Sequence, residues 1–285
     1  MGVYMEDTDE FDAVKDSILK EYGDQEEKHL LVDIADQFYD DLVLRSGEDK
    51  PKVSASPAPG ITKVNVVGAK LGVGSIGGQP VRVGTATCFA RSKPHNSRII
   101  LTSAHFFAKH PEVFLASQTA NSILLGKTIA KQEDAEIDAG LVEIASEDTL
   151  AYNKTEDGLE IHGVLKESQL PLIFGGADKI TRRRVRIVGA NSGYLYGRVL
   201  KCAYTIRIRG SSQLLVKNHI RISGAYCRFG DSGAAVVWTD PESKKNYIVG
   251  ILRGSLQMEG YVYEDATVCT FADKVFEAFE LAWEN

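Results

Sequence analysis

Phe229-Gly230-Asp231-Ser232-Gly233-Ala234-Ala235-Val236 sets a serine between two glycines, immediately ahead of an apolar run. A serine hydroxyl is a weak nucleophile at neutral pH and needs a base beside it. It also needs a tight turn whose amide N–H groups can point at a developing oxyanion. Glycine on either side permits such a turn, and the amides of Gly230 and Ser232 are the natural donors. The same composition also makes an ordinary β-turn between strands, so the stretch must be weighed with its surroundings.

Outward from it, short apolar runs alternate with glycine: 61–67, 81–89, 98–102, 122–125, 140–144, 185–188, 198–208, 234–237 and 248–252. Short strands with turn signals between them predict an all-β barrel or sandwich. Phe271, Val275, Phe276, Phe279 and Trp283 fall on one helical stripe, which predicts a closing helix over 271–285. Upstream, Phe11, Val14 and Ile18, and then Leu30, Ile34 and Phe38, recur at helical spacing and predict a helical arm over 1–46. Residues 47–60 hold three prolines and several small residues, the composition of a linker.

Charge divides the same way. The net charge of −6 is the sum of an acidic arm, 16 acidic against 5 basic residues in 1–50, and a body with 23 against 28. Lys179, Arg182, Arg183, Arg184, Arg186 and Arg198 concentrate the positive charge. Such runs are usually solvated strand faces. The expected partner for this one is the acidic arm, docked on the basic body, rather than nucleic acid.

No apolar run approaches the ~20 residues that span a bilayer, so no membrane role is expected. The N-terminus as it stands has no apolar core. Cys88, Cys202, Cys227 and Cys269 show neither C-x-x-C nor zinc spacing. Together these predict a soluble cytoplasmic or otherwise intracellular protein with reduced thiols. Gly72-Val-Gly74-Ser-Ile-Gly77 has the spacing of a dinucleotide loop, but the residues after it read as strand where such a site needs a helix. No metal or organic cofactor is expected. Asn153-Lys-Thr155, formally a glycosylation acceptor, reads as a polar loop.

Two further stretches could serve the serine. Ile99-Ile-Leu-Thr-Ser-Ala-His105 ends an apolar strand in two small residues and a histidine, with His110 as a second choice. Glu136-Ile-Asp138-Ala-Gly-Leu-Val142 sets a carboxylate ahead of an apolar strand, able to accept the second imidazole N–H. Asp134 and Glu136 compete with Asp138 for that role.

In the order His, Asp, Ser, the stretches Leu101-Thr-Ser-Ala-His105, Asp138-Ala-Gly-Leu141 and Gly230-Asp-Ser-Gly233 resemble the chymotrypsin-like serine peptidases of the PA clan. The run 188–199 is similar to the hairpin that opens the second barrel in that family, and 84–89 to the strand before the histidine strand. The resemblance runs from about Val64 to the C-terminal helix. It implies two antiparallel six-stranded β-barrels, the first within about 61–150 and the second within about 170–270, with the site between them. It implies a serine endopeptidase of protein or peptide substrates, with His105, Asp138 and Ser232 catalytic and Gly230 and Ser232 as the oxyanion hole. By position relative to Ser232, Tyr226 would lie at the base of the primary pocket. Arg253 and Gly254 would lie on its wall, Arg253 either favouring an acidic or polar side chain there or pointing into solvent.

The chain departs from secreted members of the family in lacking a cysteine after His105, where Phe106 stands. It also has no Ile-Val-Gly-Gly activation sequence, which makes activation through a new N-terminus paired with Asp231 unexpected.

Overall fold

The computed structural model describes residues 62–76, 79–107, 111–115, 123–146, 149–174, 183–207, 215–225, 227–256 and 266–284. The expected arm and linker, and with them the docking of the arm, lie outside these residues, as do His110 and Tyr226.

Sixteen strands are described. In the first half they are β1 (Thr62–Asn65), β2 (Lys70–Ile76), β3 (Gln79–Thr85), β4 (Cys88–Ser92), β5 (Ser97–Thr102), β6 (Glu112–Leu115), β7 (Ile123–Glu133), β8 (Asp138–Ile144) and β9 (Thr149–Tyr152). The second half has β10 (Arg184–Gly189), β11 (Gly193–Arg207), β12 (Leu215–Ser223), β13 (Ala235–Thr239), β14 (Asn246–Leu256), β15 (Ala266–Phe271) and β16 (Leu281–Trp283). Two short α-helices, α1 (Leu170–Phe174) and α2 (Ala272–Ala278), and a 3-10 turn over Glu167–Gln169 complete the set.

The second half closes as expected, in the order β10-β11-β12-β15-β14-β13 with every neighbour antiparallel. The first half closes differently. Its ladder is an eight-stranded sheet, β16-β4-β5-β8-β7-β6-β2-β3. Its last strand, β3, and β4 are one stretch of chain broken only at Ala86 and Thr87. Counted as a single bent strand they bring the sheet round on itself, so six strands make this barrel with β16 added to the edge of β4. The short pair β1–β9 is parallel and stands apart.

Three apolar cores follow from this layering. One fills the first barrel (Leu71, Val73, Phe89, Ile100, Val142). A second fills the other barrel (Ile187, Val199, Ile220, Ile222, Val236), with α1 contributing Leu170 and Phe174. The third lies between the barrels, where Ile99, Leu101 and Leu141 meet Val188, Val237 and Ile251. This arrangement explains why Ile99-Ile-Leu101 is continuously apolar rather than alternating. Ile100 faces into its own barrel while its neighbours face the other one, so both faces of β5 are buried. Truncating Leu101 to alanine costs about 2–5 kcal/mol.

The C-terminus corrects the reading of one helix over 271–285. The helix stops at Ala278, Glu280 turns the chain at φ 49°, and β16 pairs antiparallel with β4 through Leu281↔Ser92 and Trp283↔Ala90. The apolar stripe is shared between two elements, with Phe276 stacked on Trp283 at 6.2 Å. The edge of β4 offers unpaired backbone groups, and a strand satisfies them where further helix could not. Asn153 is likewise structural. Buried, it accepts from the Phe89 amide (2.7 Å) and donates to the carbonyls of Phe89 and Glu284. Gly72 lies in β2, and the residues after the glycines, read as strand, form β3 of the same antiparallel hairpin.

Candidate active site

His105 follows the end of β5, and Asp138 opens β8. The two strands are antiparallel neighbours, Thr102 standing opposite Gly140. Topology therefore brings the imidazole and the carboxylate together at one end of the first barrel. His105 Nδ1 lies 2.5 Å from Asp138 Oδ2, while Oδ1 accepts the amides of Ala104 (2.8 Å) and His105 (3.0 Å). Asp138 is 1% exposed. With both oxygens engaged by groups around His105, the carboxylate fixes the ring and requires the proton on Nδ1. The other nitrogen, Nε2, is the unprotonated acceptor of the neutral ring, and it is buried without a hydrogen-bond partner. Arg82 from β3 donates to the His105 carbonyl at 2.9 Å. Phe107 packs over Gly140, where a Cβ would stand 2.1 Å from the ring. Of the three competing carboxylates, Asp138 is the one bonded to His105. Asp134 caps its own turn by accepting the amides of Glu136 and Ile137, and Glu136 faces Asn218 and Lys274.

Burial acts to lower the basicity of His105, but the Asp138 charge and hydrogen bond outweigh it and hold its pKa above 6.5. For Asp138 burial acts upward, and the His105 charge and hydrogen bond, followed by Arg253, hold it below the ordinary carboxylate value.

Ser232 belongs to the second barrel, in the turn before β13. Gly230 (φ 88°) and Gly233 (φ 89°) take left-handed backbone conformations. At Gly233 a Cβ would also meet Thr102 Oγ1 and the Thr85 carbonyl at 2.3 Å, and the Ser103 amide at 3.0 Å. The turn therefore presses against the residues just before His105. Three bonds fasten it there. The Thr85 amide donates to the Ser232 carbonyl (2.8 Å), Thr85 Oγ1 to the Gly230 carbonyl (2.8 Å) and Thr87 Oγ1 to the Gly233 carbonyl (2.6 Å). Within the first barrel, Thr102 Oγ1 donates to the Thr85 carbonyl (2.7 Å).

Asn191 Nδ2 donates to the Phe229 carbonyl at 2.5 Å. In a trans peptide the C=O and N–H point opposite ways, so this bond turns the Gly230 N–H away from Asn191. Asp231 is fully buried, and its carboxylate accepts the amides of Asn191 (2.9 Å), Ser192 (3.0 Å) and Arg228 (2.7 Å). The turn is thus held by main-chain donors of its own barrel as well as by the threonines of the first. Sequence reasoning missed Thr85 and Asn191 in this role. Thr85 lies inside the apolar run 81–89, where threonine is an ordinary strand residue and carries no signal of its own.

Arg253 donates from Nη1 to the Asp134 carbonyl at 2.8 Å and approaches His219 Nε2 at 3.3 Å. Gly254 lies on β14, where a Cβ would have open space. Among the described residues no cluster of three His, Cys, Asp or Glu side chains is placed to hold a metal.

No family model and no curated protein sequence matches the chain. Solved structures do. A glutamic-acid-specific serine protease, described as using a histidine triad in substrate binding, superposes with a TM-score of 0.53 at 17% identity, over 75% of this chain and 97% of its own. An α-lytic protease homologue gives 0.53 at 14% identity, over 77% and 98%. The Cellulomonas bogoriensis chymotrypsin gives 0.52 at 14% identity, over 78% and 99%. The chain has the chymotrypsin-like fold.

Proposed function

We propose that the chain is a serine endopeptidase working through an acyl-enzyme, with His105, Asp138 and Ser232 as its triad. The observation that supports it best is the His105 ring itself, anchored through Nδ1 by a buried carboxylate, left with an unengaged Nε2, and preceded by the Thr102–Ser103 segment against which the Ser232 turn packs. In this reading Nε2 takes the Ser232 proton as Oγ attacks the scissile carbonyl, and Asp138 stabilises the imidazolium that forms. The amides of Gly230 and Ser232, neither of which has a hydrogen-bond partner among the described residues, receive the oxyanion. His105 then gives its proton to the leaving amine. Water repeats the sequence on the acyl-enzyme, releasing the carboxylic acid and Ser232.

Tyr226 and Gly254 are assigned to the primary pocket by their spacing from Ser232. The substrate is a protein or peptide, and trimmed cleavage of selected targets inside the cell fits the composition. All four cysteines are described and none is in a disulfide, which fits a reducing compartment. No described helix is long and apolar enough to cross a membrane. The acidic arm is assigned to the outer face of β10 and β11, where Arg184 stands opposite Arg198. Like charges directly opposite repel, so this face favours an anionic cover.

A second reading, a peptide-binding module on the same fold, draws on one observation: Ser232 Oγ makes no hydrogen bond to His105 Nε2. Such bonds are often long before substrate binds. Incubating the wild-type chain and Ser232→Ala with a proteome-derived peptide library, read by mass spectrometry, separates the two. New internal termini from wild type alone support the peptidase. Identical peptide pools, with peptides retained on the protein, favour the binding module.

A further inference from the structure

The turn that delivers Asp138 is held from the opposite barrel. Residues 134–137 lead directly into Asp138, and each of the first three is gripped by the second barrel. The Asp134 carbonyl accepts from Arg253 Nη1 (2.8 Å), the Ala135 carbonyl from the Lys217 amide (2.7 Å), and the Glu136 carboxylate from Asn218 Nδ2 (3.3 Å), with Lys274 Nζ at 3.7 Å. The turn has its own bonds, from the Asp134 amide to the Ile137 carbonyl (2.8 Å) and from the Glu136 and Ile137 amides to Asp134 Oδ1. It therefore moves as a unit with whatever holds it.

Arg253 is held in its turn. His219 is fully buried although it lies on the outer face of β12, across from the inward Ile220 and Ile222. Its Nδ1 lies 2.6 Å from the Lys217 carbonyl, so Nδ1 carries the proton and Nε2 is an acceptor. That acceptor faces Arg253 Nη1 (3.3 Å) and Thr270 Oγ1 (3.4 Å). A neutral imidazole thus orients the guanidinium at the junction of the barrels.

We propose that Arg253 is a positioning residue: it joins β14 to the 134–137 turn, sets the place of the Asp138 carboxylate beneath His105, and is itself oriented by His219. The proposal rests on the reading of His105 and Asp138 as the base pair of the peptidase. It gives Arg253 a task other than recognition of the substrate side chain. Its charge has a second effect. Asp138 and Glu133 raise the pKa of His105, and among the charged groups acting on the ring Arg253 is the cation that lowers it. Removing that cation moves the titration of His105 upward.

The test uses the full chain with labelled histidines. The His105 titration is followed by NMR, and the rate of labelling by a fluorophosphonate probe is followed against pH. In Arg253→Met the His105 titration and the acidic limb of labelling both move to higher pH, and the plateau rate falls about a hundredfold, the scale of an ångström-sized misplacement. Arg253→Lys keeps the charge but not the planar fork, so the titration stays near wild type while the plateau still falls. A specificity residue would change the cleavage preference and leave the titration where it was. An unchanged titration and plateau in Arg253→Met overturns the proposal. If that variant does not fold, an unchanged plateau in Arg253→Lys overturns it. If wild type is not labelled at all, the peptidase reading fails, while the titration shift in Arg253→Met still decides whether Arg253 acts on His105.

Discussion

The second barrel closes through one antiparallel ladder, with bulges in three of its pairings, whereas the first closes through a bend in its own chain at Ala86 and Thr87. The first barrel also has its open edge covered by β16 from the far end of the sequence. The difference shows in the site. The second barrel supplies a turn braced within itself through Asp231 and tied to the first barrel through Thr85 and Thr87. The first supplies His105 and Asp138, but the turn before Asp138 is held from outside. Each half is tied to its neighbour at the site, the Ser232 turn through Thr85 and Thr87 and the 134–137 turn through Arg253 and Lys217, so the barrels function as one unit with a core between them.

The sharpest way to break the comparison is at the first barrel's own contribution. Asp138→Asn should lower peptide hydrolysis about ten-thousandfold, because the amide cannot hold His105 in the required tautomer. Measured against Asp231→Asn, which leaves the base pair intact, it separates the two halves of the site. Next in size is the tie across the barrels. Thr85→Val removes the hydroxyl that donates to the Gly230 carbonyl and accepts the Ala190 amide (3.1 Å). Activity should fall about a hundredfold, with about 1–3 kcal/mol lost in urea unfolding from the unpaired amide. An activity loss no larger than the stability loss implies would remove Thr85 from the account.

Deleting residues 281–285 tests whether the first barrel needs its added edge. Burial of Leu281 alone contributes about 1.5–3 kcal/mol, and hydrogen exchange should quicken in β4 while β13 and β14 stay protected. Uniform quickening would mean the barrels are not distinguishable in this way. The smallest effect is a dependence on pH. Burial, with the nearby Arg253, lowers the pKa of His219 to about 4. Between pH 4 and 6.5 the unfolded chain binds a proton that the folded one refuses, so this residue makes stability rise with pH across that window. His105 acts in the opposite sense and elsewhere. Its raised pKa contributes stability that is complete below 6.5 and lost as pH rises through the folded value. In His219→Gln the slope between pH 4 and 6.5 should flatten, which urea midpoints at several pH values would reveal.

Much of this was legible in the residues. The continuous run at 99–101, the glycines around Ser232 and the carboxylate before Ala139-Gly-Leu141 carried the fold and placed three candidates at strand ends. What escaped reading lies between the barrels. His219 sits in Lys217-Asn-His-Ile-Arg-Ile222, whose alternation assigns it to a solvent face, and only the packing of the 134–137 turn buries it. Arg253 likewise reads as a wall or surface residue, because a bond to a carbonyl more than a hundred positions away leaves no local pattern. The end of α2 was missed for a related reason: its apolar stripe is continuous, and the competing partner for Trp283 is a strand edge nearly two hundred residues earlier.

The most direct test of the central claim is fluorophosphonate labelling of the full chain across pH, for wild type, Ser232→Ala and His105→Ala. The account predicts labelling of wild type alone, with an acidic limb above pH 6.5 because Asp138 holds His105 in its protonated form to higher pH. Equal labelling of Ser232→Ala, or none in wild type at any pH, would contradict it.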